Sequence, residues 1–330
     1  MFFYFSSAFQ TIQPHLLAKK LQEMFLHPNT VKWVLDYLTD RPQFVRWNGI
    51  FSSETINTFT GAPQGTVLSP FLFTLYTSDF KVQGDSCHLQ KFSDDSAVVG
   101  CILDNDEILY RERIDDFVSW CDENFLVLNA SKTKEMVFDF RKKKDTVHPV
   151  IIKGETIEIV TEYKYLGVKL DNKLTWSNHI DAVYKKTQSR LFFLRKLRSF
   201  NVCNKMLYMF YQSMVCSVMV FASVCWGGNA SARDTGRLNK LIKKASSVVG
   251  QSLDQIEVLV ERRLASKSRA ILLDPEHPLN STLMDLRIQR SGRFTMPKVR
   301  TERFRRSFIP AAVRFFNNNR AIVLTSDFEW

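Results

Sequence analysis

The spacing of apolar positions predicts a mixed α/β region followed by a helical one. Apolar residues recur at helical spacing after Pro14 and again over residues 31–38. Short runs of β-branched and aromatic residues between turn residues indicate strands instead. The predicted strands lie at residues 44–47, 56–59, 89–92, 96–101, 136–140, 150–160 (a hairpin) and 163–170.

The helical period returns in two further parts of the chain. Residues 104–127 have an amphipathic stripe, and helices are predicted from Asn178 onward, at about 203–226 and at 234–249. Ser69-Pro70 reads as an N-cap and first helical position. The predicted fold class is α+β: an antiparallel sheet with packed helices, then an all-α region and a basic helical tail.

Composition and charge narrow the function classes. With 330 residues, 45% hydrophobic and 13% aromatic, the chain is globular rather than disordered. Its net charge of +11 favours polyanionic partners. Six cysteines without a C-x-x-C pair and six scattered histidines argue against a zinc site and a disulfide framework. We therefore expect an intracellular protein of the nucleus or cytoplasm that is not secreted.

One stretch, residues 206–226, contains no charged residue and is long enough to span a membrane. A buried helix explains the stretch as well, and the polar residues inside it make membrane insertion the less expected alternative. These polar residues are Gln212, Ser213, Ser217 and Ser223.

The candidate chemistry begins at the turn Phe92-Ser93-Asp94-Asp95, between two predicted strands. Adjacent carboxylates repel each other unless a cation lies beside them, and Mg²⁺ accepts one or two carboxylates from a protein. Aspartate is also common in ordinary turns, so the tetrapeptide alone leaves both interpretations open.

Three further motifs stand in order around this turn: Gly61–Pro70 with Pro63-Gln64-Gly65, then Leu128–Lys134, then Tyr163–Val168. Together the four motifs resemble the palm of a reverse transcriptase, most closely that of LINE-type (non-LTR) retrotransposons. The resemblance implies a polymerase-type palm and an RNA-directed DNA polymerase that uses two Mg²⁺ ions. It also implies an RNA template, a DNA primer and a dNTP as partners. For the helix after Pro63-Gln64-Gly65, the resemblance implies a start a few residues before Ser69.

The resemblance also assigns roles to individual residues. Asp94 and Asp95 would be the catalytic, metal-binding pair. The nucleotide would meet Phe9, as the gate against a ribose 2′ hydroxyl, and the platform at Gln64 and Gly65. Lys132 would contact the triphosphate, although a solvated loop lysine is an equal alternative.

The chain departs from the family pattern at Tyr4, where the family has an aspartate two residues before Ser6-Ser7. We therefore expect impaired activity, or a catalytically inactive nucleic-acid-binding remnant of a retrotransposon. The fingers and the endonuclease that precede this strand in the family are not seen, which suggests an N-terminally truncated copy.

Three regions are predicted: a palm at 1–176, a helical thumb-like region at 177–250 and a basic C-terminal region at 251–330. In the last, residues 286–320 have ten Arg or Lys and one acid, Glu302. Phenylalanines interleave with this charge, which suits single-stranded nucleic acid. The same phenylalanines could instead pack a small helix at about 308–317.

Overall fold

The computed structural model describes residues 1–47, 51–82, 86–142 and 146–319. The dipeptide Asn48-Gly49, which the sequence predicts as a turn between the strands at 44–47 and 56–59, lies outside these ranges. The chain forms two compact units, Met1–Leu166 and Gly167–Trp330. The three regions predicted from the sequence stay a prediction.

The first unit is an α/β structure built on one sheet. In chain order the elements are β1 (Phe2–Phe3), α1 (Pro14–Glu23), α2 (Pro28–Leu38), β2 (Arg41–Gln43), β3 (Arg46–Trp47), β4 (Phe51–Ser52), β5 (Ile56–Thr58), α3 (Leu68–Tyr76), β6 (Cys87–Phe92), β7 (Asp95–Gly100), α4 (Ile108–Glu123), β8 (Lys134–Glu135), β9 (Ile151–Ile152), β10 (Glu155–Thr156), β11 (Glu158–Ile159) and β12 (Glu162–Tyr165). The sheet has five strands in the order β11-β8-β1-β7-β6.

The central strand β1 connects the sheet to the helices behind it. Phe3 is buried and its ring lies 4.4 Å from the ring of Phe117 on α4, centroid to centroid. Phe73 of α3 and Leu17 of α1 are also fully buried in this core. Proline suits the first helical turn because it has no N–H to leave unpaired, and α1 begins at Pro14 as predicted.

The sheet differs from the prediction in its edge and in its strand lengths. The pairs formed by β1, β6, β7 and β8 are antiparallel, but β11 runs parallel to β8, so the expectation of a purely antiparallel sheet was wrong. The strand predicted at 136–140 is not formed: the strand in this part of the chain is Lys134–Glu135, which ends before Met136. The helix predicted at 104–127 is the shorter α4.

The second unit is mostly helical. It contains β13 (Val168–Asp171), α5 (Ser177–Ser199), α6 (Asn204–Phe210), a π-helical turn (Tyr211–Cys216), α7 (Ser217–Met219), α8 (Ser223–Trp226), a 3₁₀ turn (Gly227–Asn229), α9 (Ala232–Val249), α10 (Ile256–Leu273), α11 (Asn280–Asp285), α12 (Glu302–Arg305) and α13 (Phe308–Asn318). The run predicted as one strand at 163–170 is two strands, because Leu166 and Gly167 both have positive φ, 46° and 84°.

The uncharged stretch at 206–226 is not one helix, contrary to the prediction. It passes through the π-helical turn and breaks at Ala222, whose φ is 50°. Among the described residues no single helix has the length and hydropathy of a membrane span. A pair bent by 43°, Asn204–Met219 with Ser223–Asn229, passes that test only when taken together.

Two apolar cores hold the second unit. The larger joins α5 to α6–α9 through residues such as Leu191, Tyr211 and Leu241. The smaller joins α10, α11 and α13, and in it the rings of Phe294 and Phe316 stack at 4.8 Å between centroids. Both rings are 4% exposed, so these two phenylalanines pack a helix and are closed to base stacking.

Candidate functional site

The aspartate pair lies at the tip of the hairpin formed by β6 and β7. Their register runs from Cys87↔Gly100 to Phe92↔Asp95, which makes Ser93-Asp94 the two-residue turn. Ser93 adopts a φ of 55°, a left-handed conformation that usually selects glycine or asparagine. Both aspartate side chains are exposed, so their oxygens are accessible to a cation.

Tyr4 lies beside this tip, immediately after the neighbouring strand β1. The pairs Phe2↔Ala97 and Phe3↔Ser96 set an antiparallel register whose next step places Tyr4 opposite Asp95. Two bonds fix its backbone: the Tyr4 N–H donates to Thr133 Oγ1 at 3.2 Å, and its carbonyl accepts from the Asn129 N–H at 2.8 Å. A neutral phenol therefore stands at the position opposite the aspartate.

Lys132 reaches the same place from the loop before β8. Its Nζ lies 4.6 Å from the centroid of the Tyr4 ring. The loop is fixed by Asn129, whose Oδ1 accepts from the Lys132 N–H at 3.0 Å and from Ser131 Oγ at 2.7 Å. The sequence named Lys132 as a site residue, and the structure places it against Tyr4.

Two further tyrosines contribute to the electrostatics of this corner. Asp95 is exposed overall but partly shielded from water, and this partial burial, followed by the charge of Asp94, raises its pKa. Burial, and next the charge of Asp95, raise the pKa values of Tyr163 and Tyr165. The Tyr163 ring stacks on Phe2 at 4.2 Å between centroids.

The sequence did not identify these two tyrosines as site residues. The feature of the sequence that could have identified them is their alternation with Glu162 and Lys164, which puts both phenols on one face of β12. That face is the half-buried one.

The Pro-Gln-Gly loop is attached to the turn that follows β1. The Ala62 N–H donates to the Phe9 carbonyl and the Gly61 N–H to the Ile12 carbonyl, both at 2.7 Å. A Cβ on Gly61 would lie 2.7 Å from Gln10 Cα, so only glycine fits this approach. The contact leaves Gln64 and Gly65 exposed at the tip of the loop.

Phe9 is half-buried, with its ring 5.3 Å from that of Phe73, centroid to centroid. The helix after the loop, α3, begins at Leu68 with Val67 as its N-cap, so the start predicted at Ser69-Pro70 was two residues late and the alternative of an earlier start is correct. The N-cap Val67 makes no capping bond through its side chain, and Thr66 Oγ1 accepts instead from the Ser69 N–H at 3.3 Å. The structure therefore forms two groups: Asp94, Asp95 and Lys132 around Tyr4, and Phe9 with the loop of Gln64 and Gly65.

The donor set at the aspartates suits one hard cation. Two adjacent carboxylates match Mg²⁺, which takes one or two carboxylates and keeps several waters. Over the described residues, no group of three or more His, Cys, Asp or Glu side chains lies close enough to hold a metal ion. A third carboxylate at Tyr4 would be needed to complete a site for two ions.

Comparison with models of protein families gives one match over the first half of the chain. The model of the family described as reverse transcriptase (RNA-dependent DNA polymerase) matches residues 1–170. A second model, described as the N-terminal part of alkylated DNA repair protein alkB homolog 8, matches residues 176–217 only. That short match supports no conclusion about function.

Three of the curated relatives come from Drosophila melanogaster. The probable RNA-directed DNA polymerase from transposon BS is 27% identical over 203 residues, 58% of this chain and 22% of the relative. The probable RNA-directed DNA polymerase from transposon X-element is 30% identical over 171 residues, which are 47% of this chain and 17% of the relative. The RNA-directed DNA polymerase from mobile element jockey is 27% identical over 196 residues, which are 56% of this chain and 21% of the relative. The matches span about a fifth of the length of these relatives.

Proposed function

The chain belongs to the reverse transcriptase family, in its LINE-type (non-LTR retrotransposon) branch, and we propose that its palm is an RNA-directed DNA polymerase impaired by Tyr4. The observation that supports the impairment is the register of β1 against β7, which puts Tyr4 level with Asp95. The proposed substrates are an RNA template, a DNA primer and a dNTP.

The proposed chemistry needs carboxylates from two strands. Bound Mg²⁺ ions would activate the primer 3′ hydroxyl and neutralise charge on the triphosphate. Asp94 and Asp95 supply the ligands of one strand. The side chain of Tyr4 is a phenol and not a carboxylate, so it supplies no acidic ligand from the second strand. By analogy with the removal of one preorganised electrostatic group, the rate falls by at least ~10²-fold.

The remaining predicted residues have roles in nucleotide binding. Phe9 would exclude a ribose 2′ hydroxyl and so select deoxynucleotides. The exposed Gln64-Gly65 tip would support the nucleotide and template, since a glycine backbone allows close approach. Lys132 would meet the triphosphate and donate a proton to the leaving pyrophosphate. Residues 177–250 would serve as the thumb, and 251–330 as a basic extension.

The test is primer extension on an RNA template with Mg²⁺ and dNTPs. We expect Tyr4→Asp to raise extension by at least ~10²-fold, the size of one preorganised charged group. The matched control Tyr4→Asn has the same shape without the charge and should not gain. Adding Asp94→Asn and Asp95→Asn to Tyr4→Asp should abolish extension. Wild-type extension as fast as that of Tyr4→Asp contradicts the impairment.

A second candidate is a catalytically inactive nucleic-acid-binding remnant, favoured by Tyr4 together with the exposed arginines of the C-terminal region. Arg287, Arg290, Arg293 and Arg300 are all exposed. Phosphate-driven association predicts that RNA affinity falls as salt rises, with the salt slope reduced by about 1 for each arginine removed from a phosphate contact. Affinity that is independent of salt contradicts this candidate.

A further inference from the structure

A groove in the second unit runs along one side of α5. It has a volume of about 490 Å³. Phe193 and Leu197 of α5 form part of its lining, opposite Phe210 of α6 and Met214 of the π-helical turn. Phe193 is 54% exposed and Met214 is 41% exposed, so large apolar side chains face water here.

Basic residues line this apolar floor. Lys186, Arg190 and Lys196 border the groove, and of the described residues that line it none is acidic. From Lys186 to Leu197 the helix makes about three turns, a length of about 16 Å. The other basic residues of α5, including Lys185 and Arg195, lie outside the lining. The cations of α5 are therefore divided between the groove and the outer face of the helix.

The wall opposite α5 has an unusual backbone. Tyr211–Cys216 is a π-helical turn, a rare conformation found most often at functional sites. Arg190 Nη1 donates to the carbonyl of Met214 at 2.7 Å, which fixes the distance between this turn and α5. The groove is thus held open by a specific contact.

We propose that this groove binds an acidic amphipathic helix of a partner protein. Three turns of length and an apolar floor match the binding of a helix through side chains at i, i+3, i+4 and i+7. The cations at Lys186, Arg190 and Lys196 select acidic residues flanking those anchors. A nucleic acid fits less well because its phosphates would need charge along the floor, where apolar side chains lie. This inference does not rest on the polymerase activity.

The experiment is fluorescence anisotropy with the full chain and a labelled helical peptide that has Leu at i, i+3, i+4 and i+7 and Glu elsewhere. We expect Phe193→Asp to weaken binding by roughly tenfold or more. The matched control is Phe192→Asp, since Phe192 is its exposed neighbour outside the groove lining and should leave binding unchanged.

The charges are tested by a swap. The double variant Lys186→Glu, Lys196→Glu should bind the Glu peptide roughly tenfold more weakly than the wild type does. It should bind a version of the peptide with Lys in place of Glu more tightly than the wild type does. Lys185→Glu, on the outer face, should change neither. Circular dichroism of each variant confirms that the helices are retained, and the gain with the Lys peptide cannot come from unfolding.

Three outcomes overturn the proposal. The first is no measurable binding of the Glu peptide to the wild-type chain. The second is equal weakening by Phe192→Asp and Phe193→Asp. The third is tighter binding of a single-stranded RNA, or of vesicles with anionic lipids, that Phe193→Asp removes while the Glu peptide is unaffected.

Discussion

The ammonium of Lys132 lies over the ring of Tyr4, with 4.6 Å between Nζ and the ring centroid. The strand register places that ring level with Asp95. A cation–π contact of this kind contributes about 0.5–1 kcal/mol at an exposed site. The position opposite the aspartate pair is therefore occupied by a neutral ring that contacts a cation.

Tyr4→Asp should create a stronger cation site at this corner. A third carboxylate beside Asp94 and Asp95 raises the local negative charge and adds a hard oxygen ligand. We expect terbium, a luminescent substitute for the divalent ion, to bind at least roughly tenfold more tightly than to wild type. Luminescence sensitised by Tyr163 and Tyr165 measures the binding.

Tyr4→Phe is the control for this substitution because it keeps the ring and the contact with Lys132. It should leave terbium affinity unchanged. Equal affinity of wild type and Tyr4→Asp would show that the three side chains do not share one site.

The sequence predicted the hairpin of the aspartates because Ser96–Cys101, apolar and β-branched in its middle, follows a turn and the run Leu89–Phe92. The assignment of Lys132 and the Pro-Gln-Gly loop to the site came from the family resemblance and stays a prediction. The sequence could not predict that β11 runs parallel to β8, because strand pairing depends on residues distant in sequence. Nor could it predict the π-helical turn at Tyr211–Cys216, since apolar spacing does not distinguish it from an α-helix.

A buried lysine ties three helices of the first unit together. Lys20 Nζ donates to the Tyr76 carbonyl at 2.7 Å, to Asp79 Oδ1 at 2.9 Å and to Asn124 Oδ1. Lys20→Met should lower the free energy of unfolding by about 2–4 kcal/mol, because buried acceptors lose their donor. Urea unfolding followed by the fluorescence of Trp120, whose ring lies 5.3 Å from Nζ, measures the loss.

Lys19→Met is the matched control, since Lys19 is the exposed neighbour on the same helix. Its effect should stay within about 0.5 kcal/mol, as for most surface substitutions. A loss as large in Lys19→Met as in Lys20→Met would contradict a specific role for the buried ammonium.

Asp171 holds the loop before α5 in a pH-dependent way. Burial acts to raise its pKa, but hydrogen bonds from the backbone N–H groups of Thr175, Trp176 and Lys173 outweigh burial and lower it. A lowered folded-state pKa stabilises the fold above the unfolded value of about 3.9, and this stabilisation is lost as pH falls through the folded value.

Asp171→Ala should therefore cost about 1–2 kcal/mol near pH 7, the usual value of a capping side chain, and less in acid. Asp171→Asn should retain part of the stabilisation and lose its dependence on pH. Urea unfolding at several pH values tests both variants. A cost for Asp171→Ala that is constant down to the acid end would mean that the carboxylate charge is not involved.

Gly228 makes the closest backbone contact of the second unit among the described glycines. A Cβ at this position would lie 2.3 Å from the carbonyl oxygen of Arg306, a backbone atom that cannot rotate away. Gly228→Ala should therefore destabilise the unit by about 1–3 kcal/mol through overpacking.

At Gly236, inside α9, an added Cβ would meet no atom of another element within 4 Å. Gly236→Ala should instead stabilise the unit by about 0.5–1 kcal/mol, because alanine loses less backbone entropy in a helix. Thermal unfolding of the two variants should thus shift in opposite directions, and a shift in the same direction would contradict the close packing at Gly228.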